Sequence, residues 1–529
     1  MSTIGKCALG MLIIGCLLTR GAHAGEWPTF GHDPQRTGWA FDEDTISPAN
    51  AGTLELKWKA HVDNVAKALT ALTAPVVATG VSTPKGVKTV VYVAGSSDHF
   101  FALDAATGQV VWSRTFKTVS KPANADFWLC PQGINATPVI DPRAGIVYVI
   151  ETDGRLLGLD LGTGAVKFGP IQFVPPFSKS WSLNLAGGIV YTAISQGCGG
   201  AQSGIYSMDV RKPLQPVVRD LLISTHGGGI WGRGGPVLGL DNRIFTADGD
   251  GLFDPSQGEY ASSVVAAGQR GLNLVDYFTP DNYDYLTRFD LDFGSGSAVW
   301  FAYKNYNLIC VGGKEGVLYM LDADALGSKD HHTPLFATPR LANDAVTFEG
   351  EGIWGAPSEW TDAARGQTWI YVPISGPVAK GAPHFPIENG EHPHGAIAAF
   401  QVVLDLASRR PVLQPAWISS DFDLPDPVAI ANGVVFALST GENSNQVVPP
   451  AAVIDKGYHG LLSVSQRLQN TTHAILYALD ARTGKELYNS GNLITAWTHF
   501  SGLAVAEGRV YAVDHDSNVY CFGLKQQPK

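Results

Sequence analysis

A degenerate repeat runs through most of this 529-residue chain and constrains its fold more than any other feature. Each copy reads as a strand, a turn, a second strand ending in an apolar residue and Asp, then Thr-Gly and a third strand. The clearest copies are VYVAGSSDHFFALDAATGQVVW (Val91 to Trp112) and ILYALDARTGKELY (Ile475 to Tyr488). β-Branched and aromatic residues suit strands, and Gly suits the turn because it tolerates positive φ. The sequence therefore predicts repeated antiparallel sheets.

Weaker copies set the number of units. They read VYVIETDGRLLGLDLGTGAVKF, GIYSMDV, GVLYMLDADALG and HGAIAAFQVV, and VYAVDHDSNVYCFGL closes the series. The motif position recurs at 104, 160, 209, 322, 401 and 480, with Gln401 in place of the Asp, and GPVLGLDNRIFTADGDG fills the double-length gap. Such spacing, roughly 50–80 residues, is typical of propeller blades with loop insertions. We therefore predict an all-β, eight-bladed β-propeller with four-stranded antiparallel blades.

Single residues within the repeat predict how the blades are held. Asp104 and Asp480 can cap the Thr-Gly turn through their side chains, and Trp112 is expected to lie flat between neighbouring blades. One blade cannot bury both of its faces alone, so the ring must close. The isolated strand LELKW (Leu54–Trp58) precedes the first full unit. We expect it to pair with the last blade and fasten the ring.

The first 24 residues resemble a secretory signal peptide. A positive start is followed by an apolar run from Cys7 to Leu18 and by the cleavage pattern Ala22-His23-Ala24. The run is too short to span a membrane. The alternative is a lipoprotein signal, since Ile-Ile-Gly precedes Cys16. The mature chain, 25–529, is expected to be one propeller domain, periplasmic or secreted, without a membrane span.

Charge and cysteine content narrow the partners. The formal net charge of −11 becomes −13 when Lys6 and Arg20 leave with the signal segment, which argues against nucleic acid as a partner. There is no C-x-x-C-H, so we expect no covalent haem. The mature chain has four cysteines, namely Cys130, Cys198, Cys310 and Cys521, which can pair in three ways. For the last two, Cys310 and Cys521, buried free thiols are the alternative.

The ALDAATGQVVW type of unit resembles the repeat of pyrroloquinoline-quinone (PQQ) type propellers. EWPTFGHDPQRTG (Glu26 to Gly38) resembles the entry segment of that superfamily, and the resemblance covers residues 26 to 524. It implies one of two functional classes. The first is the PQQ-dependent dehydrogenases, which oxidise alcohols or sugars with PQQ and calcium. The second comprises non-catalytic propellers, such as the outer-membrane assembly lipoprotein, which bind proteins or polysaccharide at the cell envelope. Fold alone does not choose between them.

Three residues match positions at which the dehydrogenases contact the quinone. Trp231, in GGGIWGRGGPV, matches the tryptophan under the ring. Lys314, in GGKEGVLYMLDADALG, matches the basic residue beside the quinone oxygens. Trp354, in GIWGAPSEW, matches the tryptophan of an Asn-Trp pair, but Ile353 replaces the Asn. The structural alternatives are ordinary blade packing for the tryptophans and an exposed turn for the lysine.

Two aspartates match the acidic positions of the same site. Asp292, in FDLDFGSGSAVW, matches the catalytic Asp, with Asp290 as the alternate register. Asp250, in TADGDGLFD, stands where the family has an Asn calcium ligand, and a carboxylate is acceptable because calcium prefers hard oxygen ligands. The resemblance thus implies a metal site of Asp250 and Asp292, whereas the structural alternative for both is the capping of a turn or loop.

Several departures support the non-catalytic hypothesis. The vicinal cysteine pair of many such dehydrogenases is absent, and Gly199 stands nearest the place of a glutamate calcium ligand. Long loop-like stretches at 252–282 and 441–472 suit a binding scaffold. An active enzyme would also need a separate electron acceptor. The sequence therefore leaves both hypotheses open.

Two groups of histidines lie outside these motifs. His499, in WTHFSG, opens the last inner strand and is either a base or ligand facing the central channel or a structural histidine. The second group lies in the insertion AKGAPHFPIENGEHPHG, where the spacing suits a transition metal but an exposed polar loop is the alternative. Its members are His384, His392 and His394, with Glu388 and Glu391.

Overall fold

Eight antiparallel sheets form a closed ring in the computed structural model, which describes residues 25–121, 129–130, 133–445 and 462–525. The first strand of each sheet contacts the first strand of the next, and the strand at Val76–Thr83 contacts that at Ala504–Ala506. First strands therefore surround the axis, while fourth strands such as Val110–Thr115 are the most exposed. The predicted eight-bladed all-β propeller is confirmed.

Blades 1 to 4 occupy the first half of the ring. Their strands are Val76–Thr83, Gly86–Gly95, His99–Asp104 and Val110–Thr115 in blade 1; Val139–Asp141, Ile146–Ile150, Arg155–Asp160 and Val166–Gln172 in blade 2; Lys179–Ser180, Asn184–Ala186, Ile189–Ser195, Ser203–Asp209 and Val217–Ser224 in blade 3; and Val237–Leu238, Arg243–Ala247, Val264–Gly268 and Leu274–Phe278 in blade 4. In blade 3, two short segments share the innermost position because both pair with the same neighbouring strand.

Blades 5 to 8 complete the ring. Their strands are Ala298–Tyr303, Tyr306–Gly312, Leu318–Asp322 and Phe336–Ala337 in blade 5; Ser358–Asp362, Gln367–Ser375, Ile387–Glu388, Gly395–Leu404 and Pro411–Ile418 in blade 6; Ala429–Ala431, Val434–Ser439, Ile475–Asp480 and Glu486–Asn489 in blade 7; and Ala504–Ala506, Arg509–Val513, Asn518–Leu524 and Leu54–His61 in blade 8. A strand at Trp39–Ala40 adds in parallel to the inner edge of blade 7.

Helices are short and lie in the connections. The α-helices of the described residues are Tyr283–Arg288 and Val464–Gln469, and the 3₁₀ turns are Ala51–Thr53, Cys198–Gly200, Pro255–Gln257, Phe293–Gly296 and Gly491–Leu493. None of the helices in the described residues is long and apolar enough to cross a membrane. The proposed signal peptide, with Cys16, lies outside the described residues.

Tryptophans join successive blades through the repeated Thr-Gly turn. The indole N–H donates to a backbone carbonyl of the next blade at 2.8–3.0 Å, and the ring lies against the turn glycine. The pairs are Trp58 on Gly108, Trp112 on Gly164 and Trp417 on Gly484. Each glycine has a φ near +70°, and an added Cβ would collide with the ring. The expected position of Trp112 between blades is confirmed, and the contact explains why the repeat needs glycine there.

The two ends of the described chain meet in blade 8. Leu54–His61 runs antiparallel to Asn518–Leu524, which confirms the predicted closing strand. The preceding segment also bridges Val77 of blade 1 through Trp27. Residues before the first blade thus contact blades 7, 8 and 1 and hold the ring where its first and last blades meet.

The remaining local predictions concern two turn-capping aspartates and two stretches expected to be long loops. Asp104 and Asp480 cap their turns by accepting from the backbone N–H of Ala106 at 2.8 Å and of Thr483 at 2.9 Å. The expectation of a long loop at 252–282 is wrong, because Val264–Gly268 and Leu274–Phe278 are two strands of blade 4. The sequence did not predict these two strands because the aspartate and glycine residues before them are typical of the turn that ends a blade. Most of the stretch 441–472 lies outside the described residues.

The described cysteines form one disulfide bond, so none of the three pairings that use all four cysteines occurs. Cys130 is bonded to Cys198, and this link joins the connection before blade 2 to blade 3. Cys310 and Cys521 are buried free thiols, as the alternative for these two residues predicted. Burial raises the pKa of the Cys521 thiol to about 11, so it stays protonated at neutral pH.

Candidate functional site

A cavity of about 300 Å³ opens at one mouth of the ring and contains every site residue taken from the resemblance. Trp231, Asp250, Asp292, Lys314 and Trp354 all line it. These residues are spread over more than a hundred positions of sequence, so the fold alone has brought them together. The sequence-predicted site is therefore one place in the structure.

Antiparallel pairing explains why these residues share one mouth. Trp231, Asp292 and Trp354 precede the first strands of blades 4, 5 and 6, whereas Asp250 and Lys314 follow the second strands of blades 4 and 5. The start of a first strand and the end of an antiparallel second strand lie at the same end of a sheet. Each blade can therefore present two segments to the cavity.

Lys314 is the centre of the acidic half of the cavity. Its Nζ lies 2.5 Å from Asp292 Oδ2 and 3.3 Å from Asp290 Oδ1. The same ammonium lies 5.5 Å from the ring centroid of Trp231 and 5.3 Å from that of Trp354, within cation–π range. Burial disfavours the charged lysine, but the two carboxylates outweigh it and raise the lysine pKa. Lys314 is therefore a fixed positive charge between two aromatic planes.

Asp292 is held in its ionised state by three donors. Burial raises its pKa, but the Lys314 ammonium and hydrogen bonds from the Asp250 N–H, at 2.9 Å, and the Trp231 side chain outweigh burial and lower the pKa. The alternate-register residue Asp290 faces the same lysine, so both registers contribute to the site. Carboxylate oxygens of Asp250, Asp290 and Asp292 lie within 4.8 Å of one another. Three hard oxygen donors at this spacing fit a calcium ion.

Asp248 supports the segment that carries Trp231, a role that sequence reasoning missed. Its fully buried carboxyl accepts from the Ser224 hydroxyl and from the backbone N–H groups of Gly229 and Gly249. Burial raises the pKa of Asp248 to about 7. This residue therefore ties blade 3, the Trp231 loop and the Asp250 turn together.

The opposite wall of the cavity is basic. Lys179 and Arg233 lie over the Trp181 ring, 5.1 and 5.2 Å from its centroid. Lys179 donates to the Leu129 carbonyl at 2.6 Å, and none of the carboxylates that the structure describes forms an ion pair with it. Burial, then the nearby arginines, lowers the pKa of Lys179 to about 7. Within the described ranges, Arg233 Nε is buried without a hydrogen-bond partner. This wall suits an anionic group.

A carboxylate–imidazole pair lies beside the basic wall. His499 Nδ1 is 2.7 and 2.8 Å from the two carboxylate oxygens of Glu442, and Arg467 Nη2 donates to Glu442 at 2.9 Å. Both Glu442 and His499 line the cavity. His499 precedes the first strand of blade 8 and Glu442 follows the second strand of blade 7, so both obey the rule that places the other site residues. The expectation that His499 faces the channel agrees with this position.

Other candidates from the sequence lie elsewhere. Gly199 packs against the backbone at Pro176 and is not part of the cavity lining. His384 pairs with Glu388 at 3.5 Å, whereas His394 pairs with Asp421 at 2.7 Å. Within the described parts of the chain, the three-aspartate group is the one cluster with metal-ligand spacing. The histidine insertion is a largely exposed polar segment, close to its alternative interpretation, but it also contains the short strand Ile387–Glu388 and the buried Phe385.

Comparison with known proteins addresses the resemblance directly. Residues 27–173 match the PQQ family model described as the β-propeller domain of glucose, ethanol and alcohol dehydrogenases. The resemblance to PQQ-type propellers is confirmed. The chain is also 24% identical over 437 residues to the 1-butanol dehydrogenase (cytochrome c) of Thauera butanivorans. That alignment covers 73% of the chain and 59% of the relative, so the chain spans little more than half of the relative's length.

Further similarities concern a second relative and the fold. The chain is 28% identical over 189 residues to the dehydrogenase subunit of the quinone alcohol dehydrogenase of Gluconobacter oxydans, and the alignment covers 35% of this chain and 22% of the relative. The quinohemoprotein alcohol dehydrogenase of Comamonas testosteroni superposes with a TM-score of 0.57 at 16% identity, over 96% of this chain and 83% of that one. A europium-containing methanol dehydrogenase gives 0.58 at 13% identity, over 94% and 98%. The structural likeness shows a shared fold.

Proposed function

We propose that this cavity binds PQQ together with a calcium ion and that the protein oxidises a small alcohol or sugar. The observation that supports the proposal is the convergence of Lys314, three aspartates and two tryptophans in one cavity. The relatives named above are quinone-linked or cytochrome-linked alcohol dehydrogenases. We also propose export to the periplasm or beyond and a separate electron acceptor.

The acidic half fits the metal by its donor chemistry. Asp250, Asp290 and Asp292 would hold calcium, whose ligands are oxygens. Lys314 faces the same carboxylates, so the ion must share them with an ammonium. The three carboxylates would bind the calcium ion although Gly199 cannot supply the glutamate ligand that the family uses.

The rest of the cavity fits the quinone. PQQ is a flat, carboxylate-bearing ring system, and Trp231 and Trp354 offer aromatic faces beside Lys314. Lys179 and Arg233 would pair with its carboxylates, because they are buried cations without an ion-paired carboxylate among the described residues. When bound, the cofactor would supply a two-electron acceptor.

The chain's own residues would then prepare the substrate. Trp231, Trp354 and Phe348 exclude water around the Lys314 ammonium, which strengthens its field. Lys314 favours negative charge developing on an oxygen nearby. The resemblance assigns proton abstraction to Asp292, which is ionised as this role requires.

Titration of the purified protein with PQQ and calcium tests the proposal. We expect saturable binding at one site, seen as a change in visible absorption and as thermal stabilisation, and weakened by a calcium chelator. Lys314→Ala should reduce affinity at least tenfold, whereas Lys329→Ala, at an exposed turn, should bind as the wild type does. Absence of saturable binding, or equal binding by both variants, would contradict the proposal and favour the envelope scaffold that binds protein or polysaccharide.

A further inference from the structure

We infer that His499, oriented by Glu442, is the residue that accepts the hydroxyl proton of the substrate. The inference rests on the proposed function, because it concerns the substrate of the same cavity. It departs from the assignment that the family resemblance gives to Asp292. The geometry of the two candidate bases distinguishes them.

His499 is held by one edge of its ring. Nδ1 lies within 2.8 Å of both Glu442 oxygens, and Glu442 is fixed in turn by Arg467 at 2.9 Å. Glu442 is 4% exposed, so the carboxylate is a buried orienting group. A carboxylate facing Nδ1 places the ring proton on that nitrogen and leaves a lone pair on Nε2. The pair therefore selects the tautomer that can accept a proton at Nε2.

The other edge of the ring is available. His499 lines the cavity and its side chain is 14% exposed. In the parts of the chain that the structure describes, no residue makes a hydrogen bond to its Nε2. The Phe500 ring lies against the imidazole, with their centroids 4.7 Å apart, and stacks on the Trp354 ring with centroids 6.1 Å apart. His499 is therefore next to the aromatic part of the cavity.

Asp292 already accepts from several donors. Its Oδ2 is bonded to Lys314 at 2.5 Å, and its Oδ1 accepts from the Asp250 N–H at 2.9 Å. The Trp231 side chain donates to the same carboxylate. A substrate hydroxyl would have to compete with these three donors for a carboxylate that the Lys314 ammonium already stabilises as the anion, whereas His499 Nε2 has no such partner among the described residues.

Burial, together with the nearby arginine charges, keeps the His499 ring neutral. Burial is the main cause and lowers the imidazole pKa to about 4. The Glu442 carboxylate acts in the opposite direction, whereas the charges of Arg233 and Arg467 lower the pKa further. His515 is the next titratable ring on this side and stacks on Trp497 at 4.1 Å. An anionic ligand beside the two arginines would offset their charges and raise the pKa of His499 towards neutral pH, where a general base is most effective.

The proposed step balances. The substrate hydroxyl O–H breaks and its proton goes to His499 Nε2, while the α C–H bond breaks and its hydrogen leaves with the electron pair to the quinone. The alcohol becomes a carbonyl compound, and the quinone is the oxidant. Glu442 stabilises the imidazolium that results, as a buried counter-charge on the Nδ1 side.

Single-turnover reduction of bound quinone by an alcohol tests the inference. His499→Gln should bind PQQ and calcium as the wild type does, but reduce the quinone about 10²–10⁴-fold more slowly, the usual contribution of a general base. Glu442→Gln should give a smaller loss and shift the pH profile. The control His394→Gln changes an exposed histidine outside the cavity and should leave the rate unchanged. A wild-type rate in His499→Gln, with Asp292→Asn inactive, would overturn the inference but leave the proposed function intact.

Nitrogen NMR of the wild-type histidines provides a second readout that does not depend on variants or turnover. We expect one histidine that is neutral at pH 7, protonated at Nδ1 and titrating near pH 4 in the ligand-free protein, with its pKa rising when PQQ binds. A cationic ring, or a proton on Nε2, would overturn the inference. A wild-type protein that binds no PQQ would overturn the proposed function and the inference together.

Discussion

Replacing Lys314 by methionine should expose the balance of charge in the acidic half of the cavity. Methionine keeps most of the apolar stem between the two tryptophans but removes the ammonium from Asp290 and Asp292. The carboxylates would then face one another without a counter-charge. We expect the variant to be destabilised and its stability to depend on calcium more strongly than that of the wild type.

The magnitude follows from the burial of the pair. The Lys314 and Asp292 side chains are 6% and 9% exposed, so the pair is not a surface salt bridge of negligible value. Removing one partner of a buried pair costs about 3–5 kcal/mol. A calcium ion held by the three carboxylates at about 100 times its dissociation constant would return about 2.7 kcal/mol. The loss should therefore be large without calcium and mostly recovered with it.

Urea unfolding, followed by tryptophan fluorescence with chelator and with excess calcium, measures both quantities. Lys329→Met, at an exposed turn, is the matched control and should lose less than about 0.5 kcal/mol in either condition. The reasoning is refuted if Lys314→Met loses under about 1 kcal/mol without calcium. It is also refuted if calcium stabilises the wild type and the variant equally.

Three further predictions concern the scaffold. Gly484→Ala places a Cβ against the docked indole at a φ of +70° and should cost about 2–5 kcal/mol of unfolding free energy, whereas Gly366→Ala, at +63° in open space, should cost about 1–2 in the same urea titration. Replacing Cys130 and Cys198 by serine should cost about 4 kcal/mol, because the bond closes a loop of 68 residues; equal stability of oxidised and reduced protein would contradict this. Burial raises the pKa of Glu359 from 4.5 to about 7, which favours folding below pH 4.5 and is lost as pH rises through 7. Between about pH 4.5 and 7 the free energy of unfolding should therefore fall by the order of 3 kcal/mol in the wild type, and Glu359→Gln should remove this fall. An unchanged dependence of stability on pH in the variant would contradict the raised pKa.

The repeat made the fold predictable from sequence. A pattern of strand, turn and glycine says how each blade is built, and the strand at Leu54–His61 had no partner nearby, so it had to pair at a distance. The mouth of the cavity could also be predicted, because Trp231, Asp250, Asp292, Lys314 and Trp354 match family positions one by one. Their convergence supports the alignment, since unrelated matches would have scattered over the ring.

The basic wall and the carboxylate–imidazole pair could not be predicted in the same way. Lys179 and Arg467 lie outside the matched motifs, and Arg233 lies in the Trp231 motif without a matched role. Their charges become unusual only after folding buries them beside one another. His499 and Glu442 are 57 residues apart and meet only across the gap between blades 7 and 8. A usable signal exists nevertheless: polar residues just before a first strand or just after a second strand face this cavity.

Blade 8 has a consequence for biogenesis. Its outer strand is made near the beginning of synthesis and its other three strands near the end, more than 440 residues later. Until those last strands emerge, the early strand has no edge to pair with, and blades 1 and 7 have unmatched inner neighbours. Partial chains should therefore remain exposed to chaperones and proteases. The cavity, whose walls come from blades 3 to 8 and from the connections before blades 1 and 2, should take form only when ring assembly is complete.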